Sequence, residues 1–221
     1  MTSLYKPFIN TVMVTTLIFV PIAHAKDTKS SSPSNQKSNA EKSVDMSDPT
    51  AVYSSFGTSM SSNGDLDVSA GFAWGNNLLS LETKQGTDAL STRYAWMTEG
   101  KGVYAEAYFN HETETQSGSL GYIHTFELTE KIKIYPLAMV GVNNDELKDT
   151  TIATGTIGMY TRINIGSSFH LGVDPFYTVG ENDYKTHSVD TFVGKQIDNH
   201  RVRVGVNSAE EEMYFKWQMA F

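Results

Sequence analysis

The stretch 213–221, Met-Tyr-Phe-Lys-Trp-Gln-Met-Ala-Phe, decides the fold of this chain. Successive side chains of an extended strand point to opposite faces, so a residue pattern that repeats every two positions separates those faces. About nine residues, tilted, are enough for one strand to cross the hydrocarbon core of a bilayer. The stretch therefore predicts a membrane-crossing strand with one wholly apolar face, formed by Met213, Phe215, Trp217, Met219 and Phe221.

The same alternation recurs in short blocks from about residue 50 to the end, and no helical period competes with it. Short alternating strands separated by turn residues are typical of a barrel rather than of strands that alternate with helices. We therefore predict an all-β fold, a closed antiparallel transmembrane β-barrel over residues 51–221, with twelve strands. Eight to ten strands result if some of the shorter blocks are loop. The twelve blocks lie near 51–60, 65–75, 78–85, 91–98, 102–110, 118–128, 131–142, 151–164, 168–179, 186–197, 200–207 and 212–221.

The connections between these blocks alternate in length and charge. Every second connection is longer and more acidic, as expected if extracellular loops alternate with short periplasmic turns. The longer connections are 61–65, 85–91, 111–117, 143–149, 180–185 and 207–212.

The first fifty residues predict export and a leader. Lys6 precedes an apolar stretch over 8–22, and Ala23-His24-Ala25 matches a cleavage site, so residues 1–25 are predicted to be a secretory signal peptide. Residues 26–50 contain no aromatic residue and are rich in Ser, Lys, Asp and Asn. Such a composition cannot bury enough apolar surface to order itself, which predicts a disordered periplasmic leader. A plug for the barrel is the alternative to a plain linker.

The C-terminal strand and its final Phe221 resemble the last strand of bacterial outer-membrane β-barrel proteins. That resemblance implies location in the bacterial outer membrane, where lipid and lipopolysaccharide surround the barrel. It also implies that the barrel assembly machinery recognises Phe215, Trp217, Met219 and Phe221 as an assembly signal. In length and strand number the chain is similar to small monomeric outer-membrane channels, including oligogalacturonate-specific porins and nucleoside channels. No subfamily motif accompanies this similarity.

The charged residues of the strands indicate which face meets lipid. Each Arg or Lys turned outward would cost up to about 2–4 kcal/mol at the bilayer midplane. The apolar set is therefore predicted to face lipid and the polar set to face the lumen. His124 and Phe192 fit this assignment badly, unless a β-bulge re-aims them. The outward aromatic residues near strand ends are candidates for two aromatic girdles: Trp74, Phe109, Phe126, Phe169, Tyr177 and Phe221.

The predicted lumen carries both signs of charge and several tyrosines. Eight strands enclose an interior just filled by side chains and sixteen leave an open channel, so twelve predict a narrow porin-like channel. Its partners would be ions or small hydrophilic solutes. A closed structural or adhesion barrel, which acts through its acidic loops, is the alternative, because small barrels need paired interior charges. The candidate pore-lining residues are Arg93, Tyr104, Glu106, Tyr108, Tyr160, Arg162, Asp174, Asp190, Arg203 and Lys216.

Other function classes have weaker support. A net charge of −8 argues against a nucleic-acid partner, and the absence of cysteine excludes a site built on sulfur. A lipid-modifying barrel enzyme would need a His–Ser–acid constellation near the outer rim. Two candidate groups exist, His111 with Glu112 and Glu114, and His187 with Ser188 and Asp190. Nothing marks an activated nucleophile, so no catalytic residue, metal or cofactor is expected.

Overall fold

The computed structural model describes residues 44–166 and 168–221. The predicted signal peptide and the leader as far as residue 43 lie outside these described residues. The strands are β1 (Ser55–Ser61), β2 (Leu66–Trp74), β3 (Asn77–Lys84), β4 (Ala89–Thr98), β5 (Lys101–Asn110), β6 (Thr115–His124), β7 (Phe126–Glu127), β8 (Ile132–Asp145), β9 (Thr150–Asn164), β10 (Phe169–Gly180), β11 (Lys185–Ile197), β12 (His200–Asn207) and β13 (Glu212–Ala220). Within the described ranges, no helix has the length and apolar character needed to cross a membrane.

Consecutive strands pair antiparallel all the way round, and β1 pairs with β13 to close the sheet. The two-residue strand β7 continues β6, since both pair with β8 in one register. Twelve strands therefore surround the lumen, which confirms the predicted all-β fold and closed antiparallel barrel. Closure removes the open edges that a sheet would otherwise present.

A proline explains why β6 and β7 are separate. Ile123 pairs with Leu137 and Phe126 pairs with Ile134, so Pro136 lies opposite His124 in the same ladder. Proline has no backbone N–H to donate to that ladder. On the other side of the strand, the Thr125 amide and hydroxyl both donate to the Gly100 carbonyl, at 2.8 and 2.6 Å.

The connections differ from the prediction at one end of the barrel. The strands extend by one to three residues into each predicted long acidic loop, and every one of these loops is reduced to four residues: 62–65, 85–88, 111–114, 146–149, 181–184 and 208–211. We call this end the loop end. At the opposite end, the turn end, β2–β3, β4–β5 and β11–β12 are joined by two residues each.

The outer surface carries the apolar set, in agreement with the predicted orientation. Large apolar side chains such as Phe72, Val140, Ile157 and Phe215 are about half exposed or more. The six proposed girdle residues are exposed as well. Phe192 points inward and His124 lies on the outer face, as their strand positions require. The pairings of β10, β11 and β12 run without a break past Phe192, so no bulge re-aims it.

The interior is filled unevenly. An apolar cluster on β4, β5, β6 and β8 packs one side of the lumen and leaves the remaining space to polar side chains. This cluster consists of Ala95, Met97, Tyr104, Ile123, Tyr135, Leu137 and Met139.

Candidate functional site

Two adjoining cavities occupy the lumen, with volumes of about 290 and 430 Å³. The first runs from residues 46–51 at the turn end to Glu210 at the loop end, along β1, β2, β3, β12 and β13. The second lies on the opposite side of the lumen and is lined by Ser117, Asn143, Thr178 and Ser188. Both cavities are lined by the same five polar side chains: Arg93, Tyr160, Asp174, Asp190 and Asn207.

Nine of the ten candidate pore-lining residues border one or both cavities. They are Arg93, Tyr104, Glu106, Tyr160, Arg162, Asp174, Asp190, Arg203 and Lys216. Tyr108 borders neither cavity, and its hydroxyl accepts a hydrogen bond from Asn110 Nδ2 at 3.3 Å.

Hydrogen bonds cross the lumen between β5 and β9, which have two strands between them in the barrel. The Tyr104 and Tyr160 hydroxyls lie 3.1 Å apart, and the Tyr104 hydroxyl donates to Glu106 Oε1 at 2.8 Å. Arg93 donates to the same Glu106 oxygen at 3.1 Å. This network narrows the lumen at the level where the two cavities meet.

A second crossing joins β13 to β3, again with two strands between them. Lys216 Nζ lies 2.7 Å from Glu82 Oε1, and Lys84 Nζ lies 3.3 Å from the same oxygen. Partly buried charges of opposite sign satisfy one another here, as an enclosed lumen requires. Together the two crossings limit the width of the lumen near its middle.

A gap in the β9–β10 ladder positions the most deeply buried ion pair. Pairing is lost between Gly172–Arg162 and Phe176–Gly158, where Pro175 interrupts β10. Arg162 and Asp174 satisfy the backbone groups freed there. The Thr161 amide donates to Asp174 Oδ1 at 3.2 Å, and Arg162 donates to the Thr161 carbonyl at 2.9 Å. The two side chains meet at 2.5 Å, and each is more than nine-tenths buried.

Phe192 is the centre of an arginine cluster. Its ring is 1 % exposed, and the guanidinium carbons of Arg203, Arg162 and Arg201 lie 4.8, 4.9 and 5.6 Å from its centroid. Cations over an aromatic face are stabilised by the ring quadrupole. A methyl group at Gly172 would lie 2.2 Å from Phe192 Cζ, so the glycine makes room for the ring. Three positive charges are thereby held side by side at the first cavity.

Residues 44–53, called here the inner segment, lie at the turn end against the lumen wall. The sequence predicts a disordered leader up to residue 50, and the structure differs over 44–50. Two tandem turns order the segment: Asp45 Oδ1 accepts from the Ser47 amide at 3.0 Å, and Asp48 Oδ1 accepts from the Thr50 amide at 2.8 Å. Asp and Asn side chains favour such turns by accepting from the backbone two residues on.

The two candidate catalytic groups, those around His111 and His187, do not form a His–Ser–acid arrangement. His187 and Ser188 are adjacent on β11, so their side chains face opposite sides, and Ser188 and Asp190 line the second cavity. His111 lies 3.9 Å from Asp88 at the loop end. Among residues 44–166 and 168–221, no group of three or more His, Cys, Asp or Glu side chains is arranged to hold a metal ion.

Glu210 gives the loop end a pH-dependent charge. Burial raises the pKa of Glu210 to about 6, a hydrogen bond with Glu212 adds to the rise, and Lys84 opposes it. Because the folded pKa exceeds the ordinary value of 4.5 for a glutamate, the barrel gains stability as the pH falls from above 6 towards 4.5. Glu210 is ionised at pH 7 and largely protonated at pH 5.

We expect the free energy of unfolding of the refolded barrel to rise as the pH falls from 7 to 5, because the folded chain binds a proton at Glu210 more tightly than the unfolded chain does. Urea unfolding, measured at half-unit pH steps, would show a component of this rise that begins near pH 6. Glu210→Gln is the matched control and should remove that component. A profile that is the same in the variant and the wild type would contradict the assignment.

Comparisons with known proteins support the fold. No family model matches the chain, and no curated protein matches it. Among solved structures, the NanC porin in a rhombohedral crystal form is similar, with a TM-score of 0.54 and 8 % identity over 76 % of this chain and 98 % of that one. OmpTdeltaL8, a loop-deletion mutant of an outer-membrane protein of Vibrio cholerae, has a TM-score of 0.38 and 9 % identity over 72 % of this chain and 64 % of that one. The chain therefore has a porin-like barrel fold.

Sequence reasoning missed two parts of the site. The inner segment carries a signal in its repeated Asp-x-Ser and Asp-x-Thr spacing, at 45–47 and 48–50, which composition alone does not reveal. The role of Phe192 had a weaker signal, since a large apolar side chain at an inward position of a polar lumen is anomalous. The inward position of Arg201 follows from its alternation with Val202, but its contacts with the inner segment do not.

Proposed function

We propose that this chain is a bacterial outer-membrane barrel that acts as a narrow channel for ions and small hydrophilic solutes. The polar lumen carries the proposal: two adjoining cavities share a wall of Arg93, Tyr160, Asp174 and Asp190. Charged and hydroxyl groups of this kind replace part of the hydration shell of a passing solute. The loop end would face the exterior and the turn end the periplasm.

The alternative is a closed barrel that acts through its loops. It is favoured by the hydrogen bonds that cross the lumen and by the inner segment at the turn end. The two functions differ in one measurable property, which is the passage of current through the folded barrel. A lipid-modifying enzyme has no comparable support from the geometry of its candidate residues.

The test is single-channel conductance of the refolded protein in a planar bilayer, after folding is verified by heat-modifiable migration on a gel. Stable and reproducible current steps are expected. A folded barrel that passes no current, either alone or after release of the inner segment, would reject the channel and favour the closed alternative.

Arg203→Ala is expected to shift the channel towards cation selectivity. A unit charge about 4 Å from a permeating ion contributes about 1 kcal/mol in water, which corresponds to about a five-fold change in the cation-to-anion permeability ratio. Arg203→Lys keeps the charge and is the matched control. The measurement is the reversal potential under a salt gradient, and a ratio unchanged in Arg203→Ala would place Arg203 away from the ion path.

A further inference from the structure

The inner segment lies inside the turn end of the barrel rather than beside it. Met46 is 1 % exposed, and Ser47 and Thr50 are also buried. Main-chain and side-chain atoms of residues 46–49, together with Ala51 and Tyr53, form one end of the first cavity. A solute that moves along this cavity towards the turn end therefore meets the inner segment.

Polar groups of the wall hold the segment through its main chain. Arg162 Nε donates to the Ser47 carbonyl at 2.8 Å, and Arg201 donates to the Met46 carbonyl. The side-chain amide of Gln196, on β11, forms two hydrogen bonds with the same stretch. Its Oε1 accepts from the Met46 amide at 2.9 Å, and its Nε2 donates to the Val44 carbonyl at 2.7 Å.

These attachments can be exchanged without disturbing the barrel. Each wall hydrogen bond has water as an alternative partner, so its net contribution is small compared with its strength in isolation. The side chains of Asp45 and Asp48 are satisfied within the segment itself, through Ser47 and Thr50. The buried Nε of Arg201 has no hydrogen-bond partner, so the segment leaves the arginine cluster incompletely satisfied. The strand ladder, in contrast, closes on itself and needs no contribution from residues 44–53.

We propose that the inner segment is a gate within the barrel. In the state described, it closes the turn end of the first cavity. It opens when Arg162, Arg201 and Gln196 exchange the main-chain groups of residues 44–47 for water or a passing solute. This inference rests on the proposed channel function and adds the regulation of that channel.

A disulfide lock tests the gate. Thr50 and Thr125 hydroxyl oxygens lie 3.4 Å apart, and the chain contains no cysteine, so Thr50→Cys with Thr125→Cys introduces the only pair of thiols. The oxidised double variant is expected to stay in a low-conductance state, and reductant is expected to restore wild-type conductance. The two single-cysteine variants are the controls and should not respond to reductant. Equal conductance before and after reduction of a verified disulfide would overturn the proposal.

Gln196→Leu provides a second test that should favour the open state. It removes the side-chain hydrogen bonds to Met46 and Val44 and adds no cross-link. The ratio of open to closed time is expected to rise by about five-fold or more, the size that corresponds to the loss of one net hydrogen bond. Gln116→Leu is the matched control, since Gln116 borders neither cavity and bonds Glu146 near the loop end. An equal ratio in both variants would count against the gate.

The outcomes separate the two proposals. If the wild type conducts while neither the lock nor Gln196→Leu changes the current, the channel stands and the gate is rejected. If no variant conducts, including Gln196→Leu and the reduced double-cysteine variant, both proposals are rejected.

Discussion

Replacing Asp174 with alanine is expected to lower the free energy of unfolding of the refolded barrel by about 3–5 kcal/mol, the usual cost of leaving one charge of a buried pair alone. Asp174 is 4 % exposed and lies 2.5 Å from Arg162. It also accepts the Thr161 amide at the ladder gap beside Pro175. The substitution therefore leaves a buried guanidinium without its counter-charge and a backbone donor without its acceptor.

Two controls make this expectation specific to the buried pair. The double variant Arg162→Met with Asp174→Leu should recover part of the lost stability, because it removes both charges together, although the Thr161 amide and carbonyl then lose their side-chain partners. Lys148→Ala should change stability little, since that side chain is 77 % exposed and exposed ion pairs are weak. The free energy of unfolding of all three variants is measured by urea unfolding in lipid vesicles. An Asp174→Ala barrel as stable as wild type would mean that water screens the Arg162–Asp174 pair.

The barrel and its strand positions were predictable because two solvents act on every strand. Lipid on one face and water on the other enforce alternation over about nine residues, and chance rarely produces that pattern twelve times. The predicted strand near 102–110, for example, differs from β5 (Lys101–Asn110) by one residue. The same reasoning placed Arg93, Glu106 and Lys216 at the cavities.

The loop lengths were not predictable by that reasoning. Strands β8 and β9 extend to Asp145 and from Thr150, so the hairpin continues beyond the apolar part of its sequence. There both faces meet water, and the alternation that marks a membrane-facing strand disappears. The sequence therefore predicts loop where the hydrogen-bonded ladder continues.

The inner segment depends on partners that are distant in the chain. Ser47 receives its wall hydrogen bond from Arg162, and Met46 receives its own from Arg201, more than a hundred residues away in each case. Composition describes only whether a segment can order itself. Composition does not reveal that two buried arginines donate hydrogen bonds to main-chain carbonyls of this segment. For that reason a linker was the simpler interpretation.

Phe192→Ala is expected to reduce the free energy of unfolding by about 3–5 kcal/mol, the usual range when a buried Phe is truncated to Ala. The ring packs against Gly172, and the guanidinium carbons of Arg162, Arg201 and Arg203 lie 4.8–5.6 Å from its centroid. Its loss therefore leaves a cavity and removes the aromatic ring that three like charges share.

Phe192→Leu separates these two effects. Leucine keeps most of the apolar volume but has no ring face, so we expect a smaller loss of stability together with a clear change in ion selectivity as the arginines move apart. Urea unfolding and reversal potential would be measured on the same preparations. If Phe192→Leu kept wild-type ion selectivity, the ring would only fill apolar volume and would not position the arginines. A change in selectivity without a large change in stability would show that an inward phenylalanine, anomalous by alternation alone, organises the charge of the lumen.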